Sequence, residues 1–160
     1  NIISLLENVI RSFLSKPNTG LPLGNLTSQL FVNIYMNEFD RFVKHRLKTK
    51  YYIRYSDDFV FLSGNKSWLE SLVNPISSFL DKNLKLQLHP NKLLIKTLTS
   101  GADFLGWVHF PDHRVLRTAT RRRMFKRLRK SPTSKTINSY FGLMKWGNTY
   151  KLKATLDKDF

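Results

Sequence analysis

Tyr51-Tyr-Ile-Arg-Tyr-Ser-Asp-Asp-Phe-Val-Phe-Leu-Ser63 is the stretch on which the reading of this chain turns. Two runs rich in aromatic and β-branched residues, Tyr51 to Tyr55 and Phe59 to Ser63, flank Ser56-Asp57-Asp58, the short polar interruption that a hairpin tip requires. Two adjacent carboxylates are thereby set at a turn, directly after Tyr55 and Ser56. Such a pair is a compact holder for a hard divalent cation, because Mg²⁺ takes one or two carboxylates and completes its shell with water and phosphate oxygens. Asp-Asp is also an ordinary solvated turn former, so the tetrapeptide alone leaves both readings open.

Upstream of the hairpin, Leu5, Leu6, Val9, Ile10, Phe13 and Leu14 recur at helical spacing from Ile2, and Lys16-Pro17-Asn18-Thr19-Gly20 stops the pattern. After Gly20-Leu21-Pro22-Leu23-Gly24 a second, longer helix is expected, capped by Asn25 or Thr27. Its expected buried stripe is Leu30, Phe31, Ile34, Phe39, Phe42, Val43 and Leu47, and it runs out in the basic segment Lys44 to Lys50. Downstream, Lys66 to Leu80 reads as a third helix, and Lys85 to Leu88 and Leu93 to Leu98 as short strands around His89-Pro90-Asn91-Lys92. A second hairpin is expected from Phe104 to Leu116, turning at Pro111-Asp112-His113, with Phe104, Leu105 and Trp107 in its core. Two short helices follow, about Ala119 to Lys130 and Ser134 to Trp146.

The 160 residues carry 27 Lys+Arg against 11 Asp+Glu, a formal charge of +16, which points to a polyanionic partner. With 41% hydrophobic and 13% aromatic residues the chain can still bury a core. No Cys is present, which excludes a disulfide framework, a thiolate zinc site and a cysteine nucleophile together. The histidines at 45, 89, 109 and 113 have no metal-ligand spacing. No apolar run approaches a membrane span and no signal-peptide order opens the chain, so a soluble protein with no membrane partner is expected. The charge is uneven: residues 1–100 hold 13 basic and 7 acidic side chains, while 101–160 hold 14 and 4. A boundary near Thr118 is expected on that ground. Between Arg114 and Lys135 lie ten basic residues and no acidic one, and such a run repels itself unless phosphates offset it.

Four motifs in order carry a family resemblance. Gly20-Leu-Pro-Leu-Gly-Asn-Leu-Thr-Ser-Gln29, Tyr55-Ser-Asp-Asp58, Leu88-His-Pro-Asn-Lys92 and Phe104-Leu-Gly-Trp107 together resemble the palm of reverse transcriptases, the RNA-directed DNA polymerases, and the basic C-terminal part resembles their thumb. The resemblance implies an α+β fold, with a partial palm of antiparallel hairpins packed on helices over residues 1–117 and a small helical thumb over 118–160. It implies RNA-templated DNA synthesis by two-metal phosphoryl transfer, with Mg²⁺, template RNA, primer or cDNA, and deoxynucleoside triphosphates as partners. Asp57 is then the principal metal ligand and Asp58 a second or supporting one. Tyr55, Gly24, Ser28 and Gln29 form the nucleotide-binding surface, Tyr55 packing beneath the primer or template and the other three bordering the incoming nucleotide, and Lys92 neutralises or protonates the departing pyrophosphate. Gly106 lets the primer backbone pass, and Arg117, Arg121, Arg122, Arg123, Lys126, Arg127, Arg129 and Lys130 follow the duplex. The aromatics Tyr140, Phe141 and Trp146 are expected in the thumb core.

Within the family, Leu23 and Gln29 stand where most bacterial members carry Gln and Pro. These two residues, with the tail Ser139 to Leu152, resemble the polymerases of diversity-generating retroelements. That subclass implies a bacterial or phage cytoplasmic setting and a small basic accessory protein. Group II intron, retron and phage-defence reverse transcriptases are the alternatives within the class, and a basic RNA-binding module with lost polymerase chemistry is the alternative outside it. The two-metal chemistry needs a further aspartate from an earlier strand. The only acidic residue before Gly20 is Glu7, in mid-helix. The chain is therefore expected to be the C-terminal part of a polymerase, without fingers and inactive alone.

Overall fold

The computed structural model describes residues 1–11 and 26–159. The fold is α+β, with two small antiparallel sheets and six α-helices among those residues. Two compact units divide the chain, Asn1–Leu93 and Leu94–Phe160. The division falls before the second sheet, earlier than the shift in charge near Thr118.

The first unit contains α1 (Ile2–Arg11), α2 (Leu26–Arg41), the hairpin β1 (Tyr51–Tyr55) and β2 (Asp58–Leu62), and α3 (Lys66–Leu84). Past Arg41, α2 widens into a π-type turn over Phe42–Arg46. Its buried face is Met36, Phe39 and Val43, with Val32, Phe42 and Leu47 packed beside them. Positions 32, 36, 39 and 43 are spaced four, three and four apart, which is one continuous helical stripe. The expected stripe was partly wrong: Leu30 and Ile34 face outward, 58% and 61% exposed, because they belong to a neighbouring face, and Met36 takes the buried position. Thr27 lies inside the first turn of α2, and Asn25 falls outside the described residues.

Helix α3 begins at Asn65, whose side chain accepts from the Trp68 N–H at 3.0 Å, and ends where Lys85 turns left-handed. It runs one turn past the expected Leu80 because Leu84 extends the buried row Leu72, Ile76, Leu80. Each of these side chains contributes about 1.5–3 kcal/mol by leaving water, enough to carry the helix through Pro75. The inner face of the hairpin closes this core. Phe59 lies 4.9 Å from Phe39 between ring centres, and Tyr52 packs edge-on to the same ring.

Neither Lys85–Leu88 nor Leu93–Leu98 forms a strand. Residues 85–97 are irregular apart from a 3₁₀ turn at Pro90–Lys92, and positions 91–100 are all exposed. Alternation of apolar and polar residues makes a strand only where a neighbouring strand accepts its hydrogen bonds, and none pairs with these segments among the described residues.

The second unit holds a three-stranded sheet ordered β3 (Ala102–Phe104), β4 (Trp107–His109), β5 (Arg114–Leu116), followed by α4 (Thr118–Lys130), α5 (Ser134–Met144) and α6 (Tyr150–Asp159). The turn at residues 110–113 lies where it was expected, closed by the Phe110 N–H donating to His113 O at 2.8 Å. The extra strand β3 arises because Leu105 and Gly106 both take positive φ, +52° and +82°, as in a type I′ two-residue hairpin loop. Leu105 is consequently at the loop tip and 47% exposed, against its expected core position. Trp107, Leu116, Met124, Leu128, Met144 and Leu156 form the core, and Tyr140 and Phe141 pack against it as expected. Trp146 does not: it is 67% exposed, on the turn after α5. The third helix, α6, was not expected, and it enters through Thr149, whose buried hydroxyl donates to Met144 O at 2.6 Å.

Candidate nucleotidyl-transfer site

The β1–β2 ladder runs Tyr51↔Leu62 to Tyr55↔Asp58, so Asp58 is the first residue of β2 and the loop is only Ser56-Asp57. The tip is thus one residue shorter than the Ser56-Asp57-Asp58 interruption. Both carboxylates are exposed. A two-residue loop requires positive φ at its first position, and Ser56 supplies it at +57°. A non-glycine residue there costs about 1–2 kcal/mol.

Arg54 offsets that cost. It shares the inward face of β1 with Tyr52, and its side chain is only 10% exposed. Its Nη1 donates to the Ser56 carbonyl at 2.8 Å and to Asn33 Oδ1 at 3.1 Å. Its Nε and Nη2 donate to the two oxygens of Asp40 at 2.8 and 2.6 Å, the two-pronged geometry that suits guanidinium to carboxylate. Charge-assisted bonds of this kind contribute about 1.5–3 kcal/mol each when shielded from water, more than the strain of the Ser56 backbone. Asp40 also accepts from the Tyr52 hydroxyl at 2.7 Å. The Arg54 bond, helped by Tyr52 and opposed by burial, holds the Asp40 carboxyl below its ordinary range. Burial first, and then the bond to Asp40, push the Tyr52 phenol upward, while Asp40 strengthens the hold of Arg54 on its proton. Asp40 is therefore an ionised carboxylate already committed to Arg54.

The exposed pair Asp57 and Asp58 fits Mg²⁺ in the chemistry of its donors, hard oxygens with room for water and phosphate. Two carboxylates make a partial shell. Among the described residues no three His, Cys, Asp or Glu side chains gather into a metal cluster.

Gly24 lies outside the described residues. Ser28, in the first turn of α2, is buried, and its hydroxyl has no hydrogen-bond partner among the described residues. Gln29 is exposed on the same turn, Lys92 is exposed in the 3₁₀ turn, and Tyr55 is 55% exposed on the outer face of β1. In the second unit, Gly106 serves the β3–β4 turn, and its carbonyl accepts from the Arg117 N–H at 3.0 Å. The Arg117 side chain pairs with Asp103 at 2.5 Å. Arg121, Arg122, Arg123, Lys126, Arg127, Arg129 and Lys130 are all exposed on α4 around its buried Met124 and Leu128. A groove between α4 and α6 is lined by Arg121, Arg122, Lys126 and Arg129 with Phe125, Leu152 and Thr155. Its lining is thus both cationic and apolar.

The residues that sequence reading missed are Asp40, Arg54 and Asn33. A signal was present: with Tyr52, Phe59 and Phe61 facing the core, period two puts Arg54 on the inner face, where a cation needs a carboxylate.

Residues 4–109 match the family model for reverse transcriptase (RNA-dependent DNA polymerase). The chain belongs to the reverse transcriptase family. The match contains the Asp57-Asp58 hairpin and ends with β4, so α4 to α6 lie beyond it. Protein YkfC of Escherichia coli K12 is 28% identical over an alignment covering 64% of this chain and 34% of YkfC. The putative COX1/OXI3 intron 2 protein of Saccharomyces cerevisiae is 33% identical over 38% of this chain and 7% of its own length. The chain thus spans about a third of YkfC and a small part of the yeast protein. RNA-directed DNA synthesis is the general activity of the family.

Proposed function

We propose that this chain supplies the palm (residues 1–117) and thumb (118–160) of a polymerase that copies RNA into DNA. The observation that carries the reading is the exposed Asp57-Asp58 pair at the tip of a braced hairpin, inside the segment that matches the family. In this reading Asp57 and Asp58 hold Mg²⁺ together with an aspartate from an upstream strand, and Glu7 does not replace it. The ions, when bound, activate the primer 3′-hydroxyl and neutralise the departing pyrophosphate. The bond from the 3′-oxygen to the α-phosphorus forms as the bond to pyrophosphate breaks, and Lys92 offers a proton or a positive charge to that leaving group. Tyr55 packs beneath the primer or template. Gly24, Ser28 and Gln29 border the incoming deoxynucleotide. The α4 cations and the backbone at Gly106 follow the phosphates of primer and template, an attraction independent of base sequence and weakened by salt.

Leu23 and Gln29 favour a diversity-generating retroelement polymerase, working in a bacterial or phage-infected cytoplasm with a small basic accessory protein. The likeness to a protein named for an intron supports a second reading, an intron-type reverse transcriptase. No helix among the described residues is long and apolar enough to cross a membrane.

The test is Mg²⁺-dependent primer extension on an RNA template by a longer polypeptide that adds an aspartate-bearing strand upstream of these residues, beside Asp57→Asn and beside the 160-residue chain alone. Extension by the longer protein that disappears with Asp57→Asn, and none by the short chain, is the expected result. Sequencing the cDNA separates the subclasses, since errors concentrated opposite adenine belong to the diversity-generating reading. Salt-sensitive RNA binding with no extension would instead support a binding module whose chemistry is lost. Robust synthesis by the 160 residues alone would overturn the dependence on an upstream aspartate.

A further inference from the structure

Arg54 ties the left-handed turn before Asp57 to the body of the first unit. Asn33 and Asp40 sit seven residues apart on α2, which is two helical turns, so both present to the same side of the helix. Arg54 reaches both from β1, and the same guanidinium donates to the Ser56 carbonyl. The Ser56 carbonyl belongs to the peptide unit whose nitrogen is that of Asp57. Its orientation therefore sets the direction in which the Asp57 side chain leaves the turn. Tyr55 and Asp58 close the ladder behind the turn, while the tip itself stands in solvent, with Asp57 and Asp58 exposed. A guanidinium is suited to this task because its planar fork holds a fixed angle between the Asp40 and Ser56 bonds, which a rotating ammonium does not.

We propose that Asp40, Asn33 and Arg54 are positioning residues for the nucleotidyl-transfer site, with α2 acting through Arg54 to fix the Ser56 carbonyl and so the aim of the Asp57 and Asp58 carboxylates. This rests on the reading of Asp57 and Asp58 as the metal-bearing pair. The residues touch neither metal nor substrate. They act on where the ligands stand, and displacements of about 1 Å at such a site cost on the order of 100-fold in rate.

The test uses the upstream-extended polymerase with Arg54→Lys, Asp40→Asn and Asn33→Ala, each measured for kcat, for KM of the deoxynucleotide, for the Mg²⁺ concentration of half-maximal activity, and for melting temperature. Arg54→Lys keeps a cation near Asp40 but cannot also hold Ser56. It is expected to lower kcat by roughly 10- to 100-fold and to raise the Mg²⁺ midpoint several-fold, with excess Mg²⁺ restoring part of the rate. Asn33→Ala, at an exposed position of α2, shifts the same quantities in the same direction by less, and it serves if the other two variants do not fold. A loss equal at every Mg²⁺ concentration and matching the unfolded fraction would overturn the proposal in favour of a purely structural network. Wild-type kcat and an unmoved midpoint in Arg54→Lys and Asn33→Ala would overturn it outright. Asp57→Asn run in parallel separates the two levels: if it retains synthesis, the metal-bearing pair itself is wrong, whatever Arg54 does.

Discussion

The two compact units handle positive charge in opposite ways. In the first, the Arg54 guanidinium is nearly buried and bound to Asp40, Asn33 and a turn carbonyl. In the second, seven arginines and lysines from Arg121 to Lys130 stand exposed on a helix that contains no acidic residue, and none of them joins an ion pair among the described residues. A cation held by several fixed acceptors defines geometry. A row of exposed cations defines none by itself and gains its energy when a polyanion displaces its counterions. The first unit is therefore where precision should reside, and the second where affinity should.

The sharpest way to break this comparison is to exchange the expected phenotypes. Asp57→Asn should lower kcat for primer extension by more than roughly 100-fold, since even outer-shell partners of a metal cost 10- to 100-fold, while the dependence of RNA binding on salt stays as in the parent. Arg122→Glu with Lys126→Glu should do the reverse: binding weakens, and the slope of log affinity against log salt falls by about one for each phosphate left without its cation. A catalytic defect in the helix variant at saturating template, or an altered salt slope in Asp57→Asn, would erase the division of labour.

Stability should follow the two cores rather than the charges. Leu128→Ala, at a fully buried position of α4, should cost about 2–5 kcal/mol by denaturant titration. Gly147→Ala is a smaller but informative change. A Cβ there would collide with the Trp107 ring and come within 2.8 Å of the Arg114 carbonyl, in the segment where Arg114 also donates to Trp146 O and stacks over the Trp107 ring. Overpacking of this kind costs about 1–3 kcal/mol, and an unchanged melting curve would show that the turn after α5 yields easily.

The last expectation concerns acid. Because Arg54 holds Asp40 below its ordinary value of 3.8, the stability this pair adds is fully present above that value and is lost as pH falls through the depressed one. Parent and Asp40→Asn should accordingly differ most in stability at neutral pH and converge in strong acid. A difference that instead grew below pH 3.8 would mean that the carboxylate is not the form Arg54 binds.

Much of the fold was legible because local pattern and tertiary demand agreed. The hairpin around Asp57 and Asp58, α3, the turn at residues 110–113 and the core of α4 and α5 all follow from alternation, capping residues or helical spacing. Where they disagreed, partners decided. Lys85–Leu88 and Leu93–Leu98 have strand-like composition and, among the described residues, no neighbouring strand. Leu30 and Ile34 are as apolar as Met36, and only the packing of α3 and the hairpin against α2 selects which are buried. Trp146 looks like core by spacing, yet the chain leaves the helix before its side chain can turn inward.

By itself the sequence determined the family, the paired aspartates at a tight turn and the uncompensated basic helix, because these depend on residue identity in short windows. Only the tertiary structure decided which carboxylates are spoken for. Asp40 and Asp57 are alike as side chains, but Asp40 lies fourteen residues from an arginine that the hairpin folds onto it, whereas the turn leaves Asp57 exposed to solvent. Hydrogen bonds between distant segments are made by the path of the backbone, and that path is a property of the packed chain rather than of any window along it.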